Sequence, residues 1–141
     1  MMTIDRLNAE ANLLNRKLPS GVWKFMDMKT ATPYLVIAAK TNRGNLYTIR
    51  IDLQNFPEEI PNAYIVKHLK DWQGNDIRMC AEMHFLGYQG NMSKICHYGY
   101  ASWTPAVSLY KIYIKCRLWL EIYEMHLATG QPIDHYLTHQ Q

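Results

Sequence analysis

The chain has 141 residues, of which 48% are hydrophobic and 19% are charged. This length supports one domain, residues 1–141, with a core of its own, and the apolar fraction excludes intrinsic disorder. Lys and Arg total 15 against 12 Asp and Glu. Because these charges are scattered along the chain, we expect neither a basic stripe that binds nucleic acid nor a membrane span.

The first predicted element is a helix over residues 3–18, where apolar residues recur at steps of three and four. Thr3 offers an N-cap hydroxyl, and Pro19-Ser20-Gly21 ends the helix. From residue 22 to residue 66 the apolar period changes to two, which is the period of a half-buried strand. The expected strands are 22–28, 34–40, 46–53 and 63–66. Their short connections favour a four-stranded antiparallel meander.

Residues 67–104 keep no lasting period and are punctuated by glycines. An irregular flap of this length in a small domain commonly carries function. A long central helix is then predicted over residues 105–128, because Thr104 can cap it and Pro105 suits its first position. Gly130 ends this helix, and residues 133–137 form a short C-terminal element. The expected fold class is therefore α+β.

The central helix carries a second apolar strip opposite its core face. The strip consists of Tyr110, Ile114, Leu118, Ile122 and Met125. Two interpretations follow: residues 133–137 fold back and cover the strip, or the strip is a surface for a partner or for self-association.

The three cysteines form an odd set without metal-ligand spacing, so neither a disulfide framework nor a zinc site is expected. No glycine-rich phosphate loop occurs, and we expect no cofactor and a cytoplasmic location. Cys96 lies in the flap, where a thiol is accessible and Lys94 and His97 are close enough in sequence to favour its thiolate. Cys80 and Cys116 are expected to pack in the interior, and an ordinary buried cysteine remains the alternative for Cys96 as well.

Two histidines lie near Cys96 in the sequence. His84 and His97 can each orient a carbonyl group or accept a proton, although a polar loop histidine is the simpler interpretation of either. Trp103 and Pro105 are expected to be structural supports that position the loop carrying Cys96.

Several of these residues resemble the landmarks of the ubiquitin-conjugating enzyme family. Ile95-Cys96 resembles the isoleucine-cysteine of that family's active site, and Trp103-Thr104-Pro105 resembles its tryptophan-serine-proline. Phe56-Pro57 and Ile60-Pro61 resemble its tyrosine-proline and proline-proline segment. His84 stands close to where the family's histidine-proline-asparagine motif begins. The resemblance covers about residues 3–128 and implies the family's fold.

The sequence also departs from the family pattern. Phe85-Leu86 replaces the proline-asparagine pair, so the usual oxyanion-stabilising asparagine is not at its place. The candidates for its work are His84, His97, Asn91 and backbone N–H groups of the flap, with His97 the first choice for tuning the thiol or moving a proton. The short, divergent pattern resembles a bacterial branch found in ubiquitin-like antiviral gene cassettes.

The resemblance implies a thioester carrier. Cys96 would accept a ubiquitin-like protein from an activating enzyme and pass it to an amine, with the ubiquitin-like protein and the activating enzyme as partners. The alternative is a non-catalytic variant of the same fold that binds a ubiquitin-like protein or a partner subunit, since residues of the site rather than the fold carry function.

Overall fold

The computed structural model describes residues 2–97 and 99–137. Its helices are α1 (Ile4–Lys17), α2 (Leu109–Thr129) and α3 (Ile133–Leu137), and its strands are β1 (Trp23–Met26), β2 (Tyr34–Lys40), β3 (Leu46–Asp52), β4 (Ala63–Ile65), β5 (Phe85–Gln89) and β6 (Met92–Ile95). The architecture is α+β, as the sequence predicts. In the described ranges, no helix combines the length and the apolarity needed to cross a membrane.

Helix α1 forms where the apolar spacing predicts it, one residue inside the expected range at each end. Thr3 is its N-cap, and the Thr3 hydroxyl accepts a hydrogen bond from the N–H of Arg6 at 3.1 Å. Leu14 is fully buried, as the apolar face requires, but Glu10 is buried too. A buried carboxylate needs partners, and those of Glu10 lie at the start of α2.

The first four strands form the antiparallel meander that the alternating pattern predicts. β2 and β3 pair along their full lengths, and Ile49 and Ile51 of β3 point into the core, where both are fully buried. β1 is shorter than expected because Asp27, which follows it, takes a left-handed backbone conformation with φ 54°.

The prediction of a four-stranded sheet beside an irregular flap is wrong. β5 and β6 form a hairpin within residues 67–104, and β6 pairs with β4. The sheet therefore has six strands in the order β1-β2-β3-β4-β6-β5. The register shifts between Phe85 and Gly87, and Gly87 has φ 103°. This bulge breaks the two-residue period from which a strand is predicted.

The predicted start of the central helix at Pro105 is also wrong, because α2 begins at Leu109. Ser108 is the N-cap, and its hydroxyl accepts a hydrogen bond from a backbone N–H of the first turn at 3.0 Å. Thr104 instead begins a separate turn, in which its carbonyl oxygen accepts from the N–H of Val107 at 3.1 Å. The sequence offers two hydroxyl caps, and tertiary contacts select the second.

Those contacts form a network that we call the α1 clamp, made of Arg6 and Glu10 and the segment they hold. Arg6 donates to the carbonyl oxygens of Pro105 at 2.6 Å and Val107 at 3.0 Å. Glu10 accepts from Arg6 Nε at 2.8 Å and from the N–H of Leu109 at 2.8 Å. The carbonyl groups that an earlier helical turn would use are therefore held by Arg6.

The second apolar strip of α2 is not a continuous free surface. Helix α3 lies at residues 133–137, where the short element is expected, and Ile133 is fully buried. Ile122 is only 1% exposed, and Tyr110 and Leu118 are half-buried. Ile114 is exposed at 37%, so the strip offers a self-associating partner only a narrow contact.

Candidate active site

Cys96 is the first residue after β6, an inner strand of the sheet. Ile95 before it is fully buried, whereas Cys96 itself is half-buried. The backbone N–H of Cys96 donates to the carbonyl oxygen of His84 at 2.9 Å. The sheet thus fixes the backbone at this point, and Cys96 is not fully buried there.

A cavity of about 640 Å³ lies on one side of the thiol, and we call it the proline-turn pocket. Its described lining residues are Glu58, Glu59, Ile60, Pro61, Asn62, Leu86, Lys94, Ile95, Cys96, His97 and Trp103. The mixture of apolar walls and a few charged groups is typical of a ligand-binding cleft.

A second cavity of about 430 Å³, the α3 pocket, lies on the other side of the thiol. Its described lining residues are His84, Cys96, His97, Gly99, Ser102, Lys115, Leu118, Trp119, Asp134 and Leu137. Cys96 and His97 line both cavities. Cys96 therefore lies where the two pockets meet.

His84 has a left-handed backbone with φ 45°, an uncommon conformation for a residue other than glycine. Its carbonyl oxygen accepts the Cys96 N–H and also the indole N–H of Trp119 at 3.0 Å. Its imidazole Nε2 lies 2.8 Å from Oδ1 of Asp134 in α3. The structure therefore brings His84 to the pocket of Cys96 and gives the ring a carboxylate partner.

His97 also lines the site, but burial lowers its pKa to about 4, and a hydrogen bond with the backbone of Ile95 opposes this only in part. The imidazole is therefore neutral at pH 7. The lowered pKa argues against the expectation that His97 supplies positive charge to favour the thiolate of Cys96.

The three thiols differ in their surroundings. Burial raises the pKa of the Cys96 thiol, so that the resting site holds a neutral thiol at pH 7. Cys116 is fully buried in the core, and burial raises its pKa further. Cys80 is half-buried and packs against the core. Of the three, only Cys96 lines the two pockets.

Asn91 does not join this group. It is an exposed residue in the turn between β5 and β6. The four residues of β6 separate it from Cys96, and each residue of a strand advances by about 3.3 Å. Its side chain therefore does not reach the thiol, and the structure supports no oxyanion role for Asn91.

Trp103 and Pro105 both contact neighbouring elements of the fold. The ring of Trp103 packs edge-on against Phe56, with centroids 6.2 Å apart, and Trp103 also lines the proline-turn pocket. The guanidinium carbon of Arg6 lies 5.0 Å from the centroid of the Phe56 ring, and Arg6 also donates a hydrogen bond to the carbonyl oxygen of Pro105. These contacts tie the segment after the site to α1 and to the turn that forms the pocket wall.

Sequence reasoning missed Asp134, which lies 50 positions from His84 in a helix of five residues. Only weak signals in the sequence point to Asp134. Gly130 and Pro132 indicate a turn of the chain, and Asp134 is the acidic residue two positions after Pro132. Within residues 2–97 and 99–137, no group of three or more His, Cys, Asp or Glu residues is placed to hold a metal ion.

Comparisons with protein-family models, with curated proteins and with solved structures give no match for this chain. The class that the structure defines is therefore an α+β protein with a half-buried cysteine between two pockets. One pocket is bordered by a proline-containing turn, and the other holds a histidine–aspartate pair.

Proposed function

We propose that this protein is a ubiquitin-conjugating-enzyme-like carrier that holds a ubiquitin-like protein as a thioester on Cys96, in a bacterial conjugation pathway of the antiviral type. The observation that carries the proposal is the position of Cys96 at the junction of two pockets. An extended C-terminal tail can approach the sulfur from one side while an amine approaches from the other. A thiol sealed in the core, such as that of Cys116, offers no such access.

The order of the elements supports the same function. An N-terminal helix, an antiparallel meander, a turn with two prolines, a cysteine, a Trp-Thr-Pro segment and a long helix follow one another along the chain. The resemblance to ubiquitin-conjugating enzymes rests on this order and on Ile95-Cys96 and Trp103-Thr104-Pro105. The extra hairpin β5–β6 is compatible with it, since β6 ends at the cysteine.

The chemistry has two acyl-transfer steps. In the first, the Cys96 thiol gives up its proton, its sulfur attacks the thioester carbonyl carbon on the activating enzyme, and the thiolate of that enzyme leaves and takes up a proton. In the second, an amine attacks the Cys96 thioester and the Cys96 thiolate leaves. Cysteine suits both steps because it is a good nucleophile and its thiolate is a good leaving group. The Cys96 N–H already donates to His84, so the donors for the oxyanion must come from elsewhere.

The two pockets suggest a division of labour. The proline-turn pocket is the larger and includes Ile60, Pro61 and Trp103, so we assign the extended tail to it. The α3 pocket contains the His84–Asp134 pair, so we assign the acceptor amine to it.

The test uses the purified full chain with a candidate activating enzyme, ATP and a ubiquitin-like protein. We expect an adduct of the combined mass that is removed by a thiol reductant and is lost in Cys96→Ala. Cys80→Ala and Cys116→Ala are the matched controls and retain the adduct. An adduct that persists in Cys96→Ala, or that resists thiol treatment, would contradict the proposal.

One observation favours the alternative of a non-catalytic binding module. Burial raises the pKa of the Cys96 thiol and lowers that of His97, so the resting site holds a neutral thiol beside a neutral imidazole. A binding module predicts that the wild-type chain forms no adduct, yet binds the ubiquitin-like protein as tightly as Cys96→Ala does. Calorimetric titration of both chains with the ubiquitin-like protein separates the two functions.

A further inference from the structure

The His84–Asp134 pair is a polar arrangement at the site for which the fold alone gives no reason. Nε2 of His84 and Oδ1 of Asp134 are 2.8 Å apart, and the two side chains are 28% and 49% exposed. A pair this open to solvent contributes little to stability. It joins the start of β5 to helix α3 at the wall of the α3 pocket, beside the candidate nucleophile.

The geometry fixes the tautomer of the His84 ring. A carboxylate can only accept hydrogen bonds, so the neutral imidazole donates through Nε2–H to Asp134 and keeps its lone pair on Nδ1. Nδ1 makes no hydrogen bond to the part of the chain that the structure describes. The ring is therefore arranged to accept a proton at Nδ1.

The backbone pairs His84 with Cys96. Phe85 and Ile95 are cross-strand partners at the ends of β5 and β6, so His84 and Cys96 are the next pair outward. The hydrogen bond from the Cys96 N–H to the His84 carbonyl oxygen, at 2.9 Å, fixes that pairing. His84 itself lies outside β5 with a left-handed backbone, and both His84 and Cys96 line the α3 pocket.

We propose that His84 is the base that takes the proton from the acceptor amine, and that Asp134 of helix α3 is the positioning residue that holds its ring. This inference rests on the proposed function, because it concerns the discharge of the Cys96 thioester. Under this proposal, helix α3 contributes a residue to the site in addition to covering the apolar strip of α2.

The step balances in protons and electron pairs. The amine nitrogen attacks the thioester carbonyl carbon and forms the C–N bond, while one N–H proton passes to Nδ1 of His84. The electron pair of the breaking C–S bond goes to Sγ of Cys96. The imidazolium then returns the proton to that thiolate, so His84 and Cys96 are both neutral again. A carboxylate bonded to the ring stabilises the imidazolium while it exists.

His97 is less suited to this task. Burial lowers its pKa to about 4, so it holds a proton weakly at neutral pH. A base works best when its pKa is near the working pH. The surroundings of the two histidines explain this difference. His97 is more deeply enclosed, whereas His84 is open to the pocket and has a carboxylate partner.

The test measures discharge separately from loading. The full-length protein is acylated with a fluorescein-labelled pentapeptide supplied as its 2-mercaptoethanesulfonate thioester, and Cys96→Ala identifies the acylated residue. After removal of excess reagent, L-lysine is added, and the loss of the acyl-enzyme and the appearance of the lysine amide are followed by mass spectrometry.

We expect His84→Gly to be acylated normally and to discharge about 100-fold more slowly than the wild type. Glycine tolerates the left-handed backbone at this position and leaves space for free imidazole, which restores the rate. Asp134→Asn slows discharge about tenfold, less than in an enclosed triad because water replaces part of the lost interaction. Asp134→Glu retains most of the rate, and His135→Ala on the same helix is the control.

The outcomes separate the two levels of the proposal. Wild-type discharge rates, within about twofold, in both His84→Gly and Asp134→Asn would overturn the role of the pair and leave the carrier function standing. No acylation of Cys96 in the wild type would overturn both. Slow discharge of His84→Gly without rescue by imidazole would assign the residue a purely structural role. If His84→Gly does not fold, Asp134→Asn against Asp134→Glu decides the question.

Discussion

Two carboxylate pairs in this molecule have the same length and different surroundings. Glu10 lies 2.8 Å from Arg6, and Asp134 lies 2.8 Å from His84. The carboxylate of Glu10 is only 5% exposed and also accepts from the N–H of Leu109. The carboxylate of Asp134 is 49% exposed and borders the α3 pocket.

The comparison teaches that distance alone does not reveal what an ion pair does. Removing Glu10 leaves the buried N–H of Leu109 without its acceptor, which is costly, and it also removes the counter-charge of the partly exposed Arg6 guanidinium. Removing Asp134 lets water take its place. The first pair therefore supports the fold, whereas the second, which we propose to act in acyl transfer, contributes little to stability.

The largest effect that tests this contrast is expected for Glu10→Ala. The substitution should lower the free energy of unfolding by about 2 kcal/mol, because it leaves the buried Leu109 N–H unsatisfied and removes the partly exposed pair with Arg6. Urea unfolding followed by circular dichroism measures it. Glu82→Ala, at an exposed glutamate, is the matched control. If Glu10→Ala lowered the free energy of unfolding no more than Glu82→Ala does, the Arg6–Glu10 pair would not be a structural pair.

A smaller loss of stability tests the position at which α2 begins. Ser108→Ala should lower the free energy of unfolding by about 1 kcal/mol, because Ser108 supplies the N-cap hydroxyl. Thr104→Ala should cost only about 0.3 kcal/mol, because the Thr104 hydroxyl makes one exposed hydrogen bond at 3.3 Å within a turn. Thermal unfolding of the two variants side by side gives the order, and the reverse order would place the helix start at Pro105 after all.

The smallest effect on stability is expected for Asp134→Asn, at less than about 0.5 kcal/mol. The pair is half-open to solvent, so the loss of one charge is compensated by water. The same urea titration used for Glu10→Ala measures it. A loss as large as that of Glu10→Ala would show that Asp134 is a structural residue and would remove the distinction between the two pairs.

Elements with a strong local period could be predicted from the sequence. Helix α1, strands β2 and β3 and the body of α2 each show enough apolar repeats to fix their type, and Thr3 and Gly130 fix two of the helix ends. β5 and β6 could not be predicted, because Gly87 introduces a bulge and β6 takes its partner, β4, from a distant part of the chain.

The site could be predicted only in part, for the same reason. The sequence neighbourhood indicates Cys96 and His84 as candidates, but the Asp134 partner of His84 is 50 positions away. The start of α2 depends on a hydrogen bond from Leu109 to Glu10, 99 positions away. Local patterns carry no information about contacts at such separations, so Asn91 was wrongly grouped with Cys96 and Asp134 was missed.

The carbonyl oxygen of His84 joins the sheet edge and the central helix through a single atom. It receives the Cys96 N–H and the indole N–H of Trp119, and Trp119 stacks on Tyr123, whose hydroxyl binds the carbonyl oxygen of Lys70. The central helix and the sulfur consequently share one mechanical linkage. In the proposed carrier, a partner that tilted α2 would therefore also act on the backbone that holds Cys96, without touching the thiol itself.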